Sequence, residues 1–571
     1  MALRPGLLDS KNITHLQHDY RKRRPFPHLV VQNAIQDDIL RQVRTEVNSN
    51  LRLKFDENNV YRVRRSTHLA NLSNPNEYQP GLLPNLTHVR DTLNSLQFRQ
   101  WLSSITGVGP LSGTRSSMAV NLYLPGDRLL IHDDCNPNSR DRRVSFILYM
   151  TDPDNPWKSE WGGGLRLYAS EPKTAIDGNT VKVAEPTWSE YIQPCFNQLT
   201  FFGVRPGESY HEVEEVLKTG DAATDQGRQR MALSGWFHAA REGDEGFDEE
   251  LYQADVQMVD HLHQLKAFAH GLHEPRSSFM PLGGGNTDGR GIRTRLTSLD
   301  VEWLSQYIVP DLLAQAQMEN ASRYFMERSF LHIQPFLSAS FEAKMKNYIA
   351  QHGHADLTFE DPESTQWRTA TPPDKQRYLY LEDSEASPIP DNPISQLLSG
   401  LLRSHQFQRW LAEMTGLELL DCGGQHITAR HFRRGLDYIL TDLYGQSPRQ
   451  LDYTLDLTPT GCQDGVLPAT EEAEANGGDE IYMVSENDGV ELAFAGQPHP
   501  RTEAERGSYR SPPSWNKFSA ILRRGHHAQG VVRYLSRSAS GDRLDIKGRM
   551  QINTTGGRQG HCDRVNETVT A

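Results

Sequence analysis

The chain repeats itself, and that constrains its fold more than any other feature. Ser95-Leu96-Gln97-Phe98 leads to Trp101-Leu102 and then Thr106-Gly107. Ser404-His405-Gln406-Phe407 leads to Trp410-Leu411 and Thr415-Gly416, 309 residues later throughout. Both segments read as an amphipathic helix closed by a glycine cap. An earlier pair agrees, since Pro25-Phe26-Pro27-His28-Leu29 resembles Ser329-Phe330-Leu331-His332-Ile333. Each of these is followed by a helical pattern, Ile35 to Val47 and Phe341 to Ile349. A repeat of this size means two copies of one domain in tandem. The expected layout is residues 1–250, a helix and flexible linker over 251–299, a second domain over 300–552, and a disordered tail over 553–571. Two domains also suit 571 residues, more than one core usually organises. Leu251 to Leu272 looks helical. Arg276 to Thr294, with Gly283-Gly284-Gly285, is the linker proper. Thr470 to Pro513 reads as an acidic loop inside the second copy.

In each copy helices come first and short strands follow. In the first copy the strands are Ser117–Leu124, Leu129–His132, Val144–Met150, Gly164–Tyr168, Gln198–Val204 and Arg230–His238. They are β-branched or aromatic and are separated by Gly, Pro and Asp turns. The fold class is therefore α+β, with an antiparallel sandwich or jelly roll.

The formal net charge of −13 argues against a nucleic-acid binder, which needs a basic face. The five cysteines are scattered, with no C-x-x-C pair, so neither a disulfide framework nor a structural zinc site is expected. The N-terminus lacks the apolar core of a signal peptide, and no stretch is apolar enough to span a membrane. The run Arg21-Lys22-Arg23-Arg24 reads as a solvated lead-in to a strand, with a nuclear import signal as the alternative.

The chemistry concentrates at His132-Asp133-Asp134, at the end of the apolar run Leu129-Leu130-Ile131. His and Asp at i and i+2 share one face of a strand. A second imidazole, His211, follows the turn Arg205-Pro206-Gly207. Two His and one carboxylate make the facial triad that leaves three positions open on Fe(II), two for a chelating 2-oxo acid and one for O2. H-x-D alone is weak. His354-x-Asp356 and His561-x-Asp563 also occur, the first in a polar turn and the second in the tail with no histidine downstream. Arg230 opens the last strand, and a guanidinium is what the far carboxylate of 2-oxoglutarate needs. Arg228, in the polar loop, is the poorer alternative. Tyr123 and Tyr149 offer phenolic hydrogen bonds to the oxo acid, with core packing as the alternative for each.

Taken together, several motifs closely resemble one family. They are Tyr123-Leu124-Pro125-Gly126, His132-Asp133-Asp134, Arg142 to Tyr149, Gly162 to Tyr168, Asn197 to Phe202, His211-Glu212-Val213 and Ser234-Gly235-Trp236-Phe237-His238. The family is the eukaryotic prolyl hydroxylases that modify a small-subunit ribosomal protein at the decoding centre. These are the yeast termination-and-polyadenylation-type and Ofd-type 2-oxoglutarate and Fe(II) dioxygenases and their animal relatives. The resemblance covers nearly the whole chain. It implies a double-stranded β-helix in each half, the first catalytic, and Fe(II), 2-oxoglutarate and O2 as requirements, with L-ascorbate as helper. By position His132, Asp134 and His211 take the metal role. Arg230 takes the 2-oxoglutarate role, helped by Tyr123 and Tyr149. The implied reaction is hydroxylation of one prolyl residue, at C3 or twice. The implied setting is nucleus and cytoplasm, tied to translation termination and its factors and, in fungi, to oxygen-dependent control of a transcription factor. A non-enzymatic adaptor binding such factors is the alternative.

Arg230 comes 19 positions after His211, farther than in the relatives, and Lys218 to Gly227 reads as a surface-loop insertion. At the constant offset, Gly126 matches Gly435, His132 falls on Thr441 and Asp134 on Leu443. Arg543-Leu544-Asp545-Ile546-Lys547-Gly548 resembles the strand at Arg230, and His526-His527 lie near the distal histidine position. The second copy is therefore expected to be degenerate, a scaffold or docking surface.

Overall fold

The computed structural model describes residues 1–73, 81–135, 141–174, 180–253, 295–352, 367–382, 392–419, 425–440, 449–459, 476–483, 508–524 and 529–552, with Gly178, Val256, Gln257 and Pro275. His354, Thr441, Leu443, His526, His527, His561, the linker 276–294 and the tail from 553 lie outside these residues.

In the N-terminal half eleven strands form one curled antiparallel sheet, consistent with a jelly roll. In chain order they are β1 (His28–Gln32), β2 (Lys54–Glu57), β3 (Tyr61–Arg65), β4 (Leu111–Tyr123), β5 (Arg128–His132), β6 (Arg142–Tyr149), β7 (Leu165–Thr174), β8 (Thr180–Ile192), β9 (Gln198–Gly203), β10 (His211–Val213) and β11 (Arg230–Ala239). Neighbours run β1-β9-β6-β11-β4-β3-β5-β10-β7-β8, with β2 paired to β3. The period of two decides which residues face the cavity. Met118, Val120, Leu122, Phe146, Leu148, Phe201, Met231 and Leu233 point outward into the main core. There they meet helices Asp37–Asn50, Pro84–Asn94 and Leu96–Thr106. Their alternates point inward. Ile147, Tyr149, Phe202 and Ala232 of one wall pack against Leu165, Leu167 and Ile192 of the other.

Helix Leu96–Thr106 starts at Ser95, whose side chain accepts from the Phe98 N–H, and ends at Gly107 in the left-handed region. Its counterpart His405–Thr415 has the same construction with Ser404, Phe407 and Gly416. The expected pairs Pro25–Leu29 and Ser329–Ile333 become β1 and the strand Phe330–Ile333, each followed by a 14-residue helix. The basic run ends helix Ser10–Lys22, with all four side chains exposed.

In the C-terminal half, seven strands run in the order Phe330–Ile333, Trp515–Arg524, Arg449–Leu457, Arg543–Gln551, Gln425–Phe432, Leu379–Glu382, Arg368–Thr369. Five more run Gln376–Arg377, Tyr438–Ile439, Gln529–Val532, Glu480–Met483, Ser508–Ser511. Two expectations change here. Thr470 to Pro513 is not all loop, because Glu480–Met483 and Ser508–Ser511 pair within it through Ile481, Tyr482 and Tyr509. The constant offset also slips. Gly126 N–H bonds the Val216 carbonyl as Gly435 N–H bonds that of Leu535. Yet Asp127, which accepts from Leu124 N–H, is matched by Asp437, which accepts from Arg433 N–H, so one residue is inserted after Gly435. His132 and Asp134 therefore match Asp442 and Tyr444, rather than Thr441 and Leu443, and all four lie outside the described residues.

Two predictions arise from this architecture. A Cβ on Gly235 would sit 1.7 Å from the Ser117 carbonyl oxygen. Gly235→Ala is expected to push β4 from β11 beneath the site and cost about 3 kcal/mol or more, read from the urea midpoint. His28 on β1 is fully buried, its Nδ1 on the Phe26 carbonyl at 2.9 Å and its Nε2 without a hydrogen-bond partner. Burial pushes its pKa down, against the pull of that carbonyl. Below about pH 6.5 the unfolded chain therefore takes a proton that the folded one refuses. The His28 contribution is complete above that pH and is lost on acidification. A melting series against pH should show His28→Phe flattening this acid limb.

Candidate active site

His132 closes β5 and His211 opens β10, and the two are register partners across an antiparallel pair. Their ring centroids stand 4.2 Å apart. Asp134 completes the group, with Oδ1 3.3 Å from His132 Nε2 and Oδ2 3.5 Å from His211 Nε2. All three ligand atoms lie within 4.8 Å of one another. The i, i+2 strand geometry expected from sequence is not how this happens. β5 stops at His132, and Asp134 lies beyond it with φ +63°, a left-handed conformation that a non-glycine residue adopts only under constraint. Asp133 supplies part of that constraint, its Oδ2 accepting from Gly207 N–H at 2.8 Å and its Oδ1 from Cys135 N–H at 3.2 Å. Arg142 adds a bond from Nη1 to the Asp134 carbonyl, 2.9 Å.

Each imidazole donates from Nδ1 to a main-chain carbonyl two residues back, Leu130 and Ser209, both at 2.8 Å. That fixes the tautomer and leaves both Nε2 lone pairs aimed into the cluster. Burial is the largest influence on all three groups. It pushes His211 down to about 4, helped by the charge of His132. For His132 burial pulls down, but the hydrogen bond and charge of Asp134 outweigh it, and the net direction is up. For Asp134 burial pushes up, and His211 and His132 more than offset it, so the carboxylate is held well below its usual range. At neutral pH the cluster thus offers an ionised carboxylate and a neutral distal imidazole, the state that binds a metal.

Arg230, 1% exposed, opens β11 opposite Tyr123. Its Nε donates to the Gly163 carbonyl at 2.6 Å, and its Nη2 is buried without a hydrogen-bond partner. Its guanidinium carbon lies 4.9 Å from the Tyr123 ring centroid and 5.2 Å from that of Tyr149. Burial pushes the Tyr123 phenol up to about 12 and raises Tyr149 as well, so both keep their protons. The Tyr149 hydroxyl, fully buried, also has no hydrogen-bond partner. Arg228 turns elsewhere, to Asp225 Oδ1 at 2.6 Å and the Leu217 carbonyl. The polar stretch before it carries a short helix, Ala222–Gly227, and leaves Arg230 in register with Tyr123.

The donor set passes a fit test for Fe(II) and 2-oxoglutarate. Two imidazole nitrogens and a carboxylate suit a non-haem ferrous ion. Three buried polar atoms still lack hydrogen bonds, Asp134 Oδ2 on the metal side and Arg230 Nη2 and Tyr149 OH on the keto-acid side. Such orphans are costly unless a ligand answers them. Sequence reasoning missed the groups around the cluster, namely Asp133, Arg142, Glu212 and its partner Arg166 at 2.9 Å. The adjacency of Asp133 and Glu212 to the two ligand motifs was the only signal available.

Comparison with known proteins agrees with this geometry. Residues 118–238 match the 2OG-Fe(II) oxygenase superfamily, and residues 299–557 match the oxoglutarate and iron-dependent oxygenase degradation C-terminal family. The prolyl 3,4-dihydroxylase OGFOD1 of Ostreococcus tauri is 27% identical over 538 residues, 91% of this chain and 94% of that protein. Among solved structures, a Pseudomonas putida prolyl-4-hydroxylase is 19% identical, covering 40% of this chain and 100% of its own at a TM-score of 0.27. A Trichoplax adhaerens prolyl hydroxylase bound to a hypoxia-inducible-factor peptide is 16% identical, covering 43% and 94% at the same score. At that score neither adds to the assignment. Two matched families, over residues 118–238 and 299–557, a relative spanning nearly the whole length, and a two-histidine, one-carboxylate cluster in the same sheet as a buried arginine lead to one conclusion: the chain belongs to the Ofd-type 2-oxoglutarate- and Fe(II)-dependent oxygenases.

Proposed function

We propose that this oxygenase hydroxylates a prolyl residue of a protein substrate, at C3 or twice, and that the substrate is a small-subunit ribosomal protein. The observation that carries the reading is the cluster of His132, Asp134 and His211, joined through Phe202, whose ring lies 4.8 Å from that of His211, to the buried group that holds Tyr149 and Arg230. Balanced, the reaction takes O2, 2-oxoglutarate and a ring C–H to succinate, CO2 and a C–OH. A ferrous ion, which His132, Asp134 and His211 would hold, would activate the O2 that does the oxidation. The chain's own residues do the rest. Arg230 clamps the far carboxylate of 2-oxoglutarate through its free Nη2, and the Tyr149 hydroxyl donates beside it. The aliphatic and aromatic walls of Ile147, Phe202, Leu165 and Leu167 keep water out.

L-Ascorbate as reductant, action in nucleus and cytoplasm, and an effect on translation termination complete the proposal. They follow from the resemblance to the prolyl hydroxylases of the decoding centre. The name of the Ostreococcus protein supports the prolyl substrate.

The C-terminal half is read as a second, degenerate double-stranded β-helix. Strand order supports this, since each of its two sheets follows the order of one wall of the N-terminal half. Arg543 stands where Arg230 does, and its Nη1 donates to the Gly478 carbonyl at 2.5 Å as Arg230 donates to that of Gly163. Its guanidinium is answered by the chain's own carboxylates, Asp545 at 2.7 Å and Asp456 at 3.7 Å. Across the strand pair, Gly530 faces Tyr482 as His211 faces Leu167, which supports reading a glycine, rather than His526 or His527, at the distal ligand position.

The test is succinate release with Fe(II), 2-oxoglutarate and O2, with and without a prolyl peptide from a small-subunit ribosomal protein. Peptide-stimulated succinate and one or two added oxygens on the proline are expected. Release indifferent to the peptide, with no hydroxyproline formed, would overturn the substrate assignment.

A further inference from the structure

We propose that Arg377, in the C-terminal half, is a positioning residue for β10 and through it for the imidazole of His211. This rests on the reading of His132, Asp134 and His211 as the metal site.

β10 is three residues long, and its pairing with β5 is irregular between His211 and Val213. So short a strand has few ladder bonds of its own to hold an imidazole to the tolerance a metal ligand needs. Its alternation sends His211 into the cavity and Glu212 out the other side. Glu212, 3% exposed, receives Arg166 Nη1 at 2.9 Å from its own half. From the other half comes Arg377 Nη2 at 3.5 Å. Arg377 is itself locked in place, 1% exposed by side chain, with Nη1 on the Tyr168 hydroxyl at 3.0 Å and Nε and Nη2 on the Leu436 carbonyl at 3.0 and 2.6 Å. Tyr168 belongs to β7, the other neighbour of β10. One guanidinium therefore ties together the two adjacent strands β7 and β10.

A second tie grips the same segment three residues on. Glu215 receives the Tyr534 hydroxyl at 3.1 Å, the Ser536 hydroxyl at 2.5 Å and the Arg537 N–H at 2.8 Å, all from the C-terminal half. The Tyr534 ring also lies 4.3 Å from the guanidinium carbon of Arg128, which opens β5. The outer face of the strand pair that carries both imidazoles is thus held by the other half of the chain. Partners that orient metal ligands from outside typically set metal affinity by about 10- to 100-fold.

The test is anaerobic Fe(II) titration of the full chain, with hydrogen exchange of the amides of residues 210–216 in the metal-free protein. Arg377→Met should weaken Fe(II) binding about 10- to 100-fold and speed exchange in β10. Arg377→Lys, which keeps the charge but not the fork, should restore part of it. Tyr168→Phe, a deletion of one oxygen, should shift both readouts in the same direction by less, and it carries the test if Arg377→Met fails to fold. Arg533→Gln is the control. It breaks the 3.0 Å pair with Glu57, which joins the same halves away from β10, and should leave Fe(II) affinity unchanged. Wild-type affinity in both Arg377→Met and Tyr168→Phe, or an equal loss in Arg533→Gln, overturns the proposal. A wild type that takes up no Fe(II) sinks the reading of the metal site instead.

Discussion

Asp134→Ala is expected to leave a folded protein that neither retains Fe(II) nor converts 2-oxoglutarate to succinate. The carboxylate is 7% exposed, sits between two imidazoles and has one oxygen without a hydrogen bond. In the metal-free chain the attraction of His132 and His211 more than offsets the cost of the unpaired oxygen, so its removal should lower the stability read from the urea midpoint by about 1–3 kcal/mol and leave the chain folded. In the loaded protein it is one of three ligands and the only anionic one. Its loss should exceed the roughly 10- to 100-fold penalty of losing a supporting partner. Metal analysis of the equilibrated protein and a succinate assay check both halves of the expectation. A variant that unfolds, or one that still turns over, contradicts the assignment in different ways.

Arg230→Met is expected to separate the two ligands. The guanidinium is the buried cation beside Tyr123 and Tyr149, and its Nη2 awaits a partner. A charge-assisted clamp of this kind typically contributes about 2–5 kcal/mol to binding, roughly 30- to 3,000-fold in 2-oxoglutarate affinity. Fe(II) uptake should be unchanged, since Arg230 lies on β11, away from β5 and β10. A KM for 2-oxoglutarate that stays at its wild-type value would remove Arg230 from the site and leave the free Nη2 without a role.

How much of this was legible in the sequence depends on how local each signal was. Helix Leu96–Thr106 announced itself through Ser95 and Gly107. The strands that became β4, β6, β9 and β11 did so through β-branched and aromatic runs bounded by Gly, Pro and Asp turns. The candidate ligand residues were readable because His132 and Asp134 follow an apolar run and a second histidine, His211, lies downstream, and Arg230 because it opens a strand.

What stayed hidden was short, irregular or distant. β10 is too brief to show a period, and β8, though 13 residues long, mixes charge with Pro186 and is half exposed. The left-handed turn at Asp134 follows from Asp133 pinning Gly207, a contact between residues far apart in the chain. The tie from Arg377 to Glu212 joins opposite halves, and no pattern within either half points to it. In the C-terminal half the constant offset fails after Gly435, first by one residue at Asp437 and then by more, since Arg543 lies 313 positions after Arg230.

Anaerobic titration of the purified full chain with Fe(II), with bound metal quantified at each step, tests the central claim most directly. The account predicts one saturable Fe(II) per chain, absent in Asp134→Ala and retained in Arg230→Met. A wild-type chain that binds no Fe(II), or an Asp134→Ala chain that binds it as the wild type does, would contradict it.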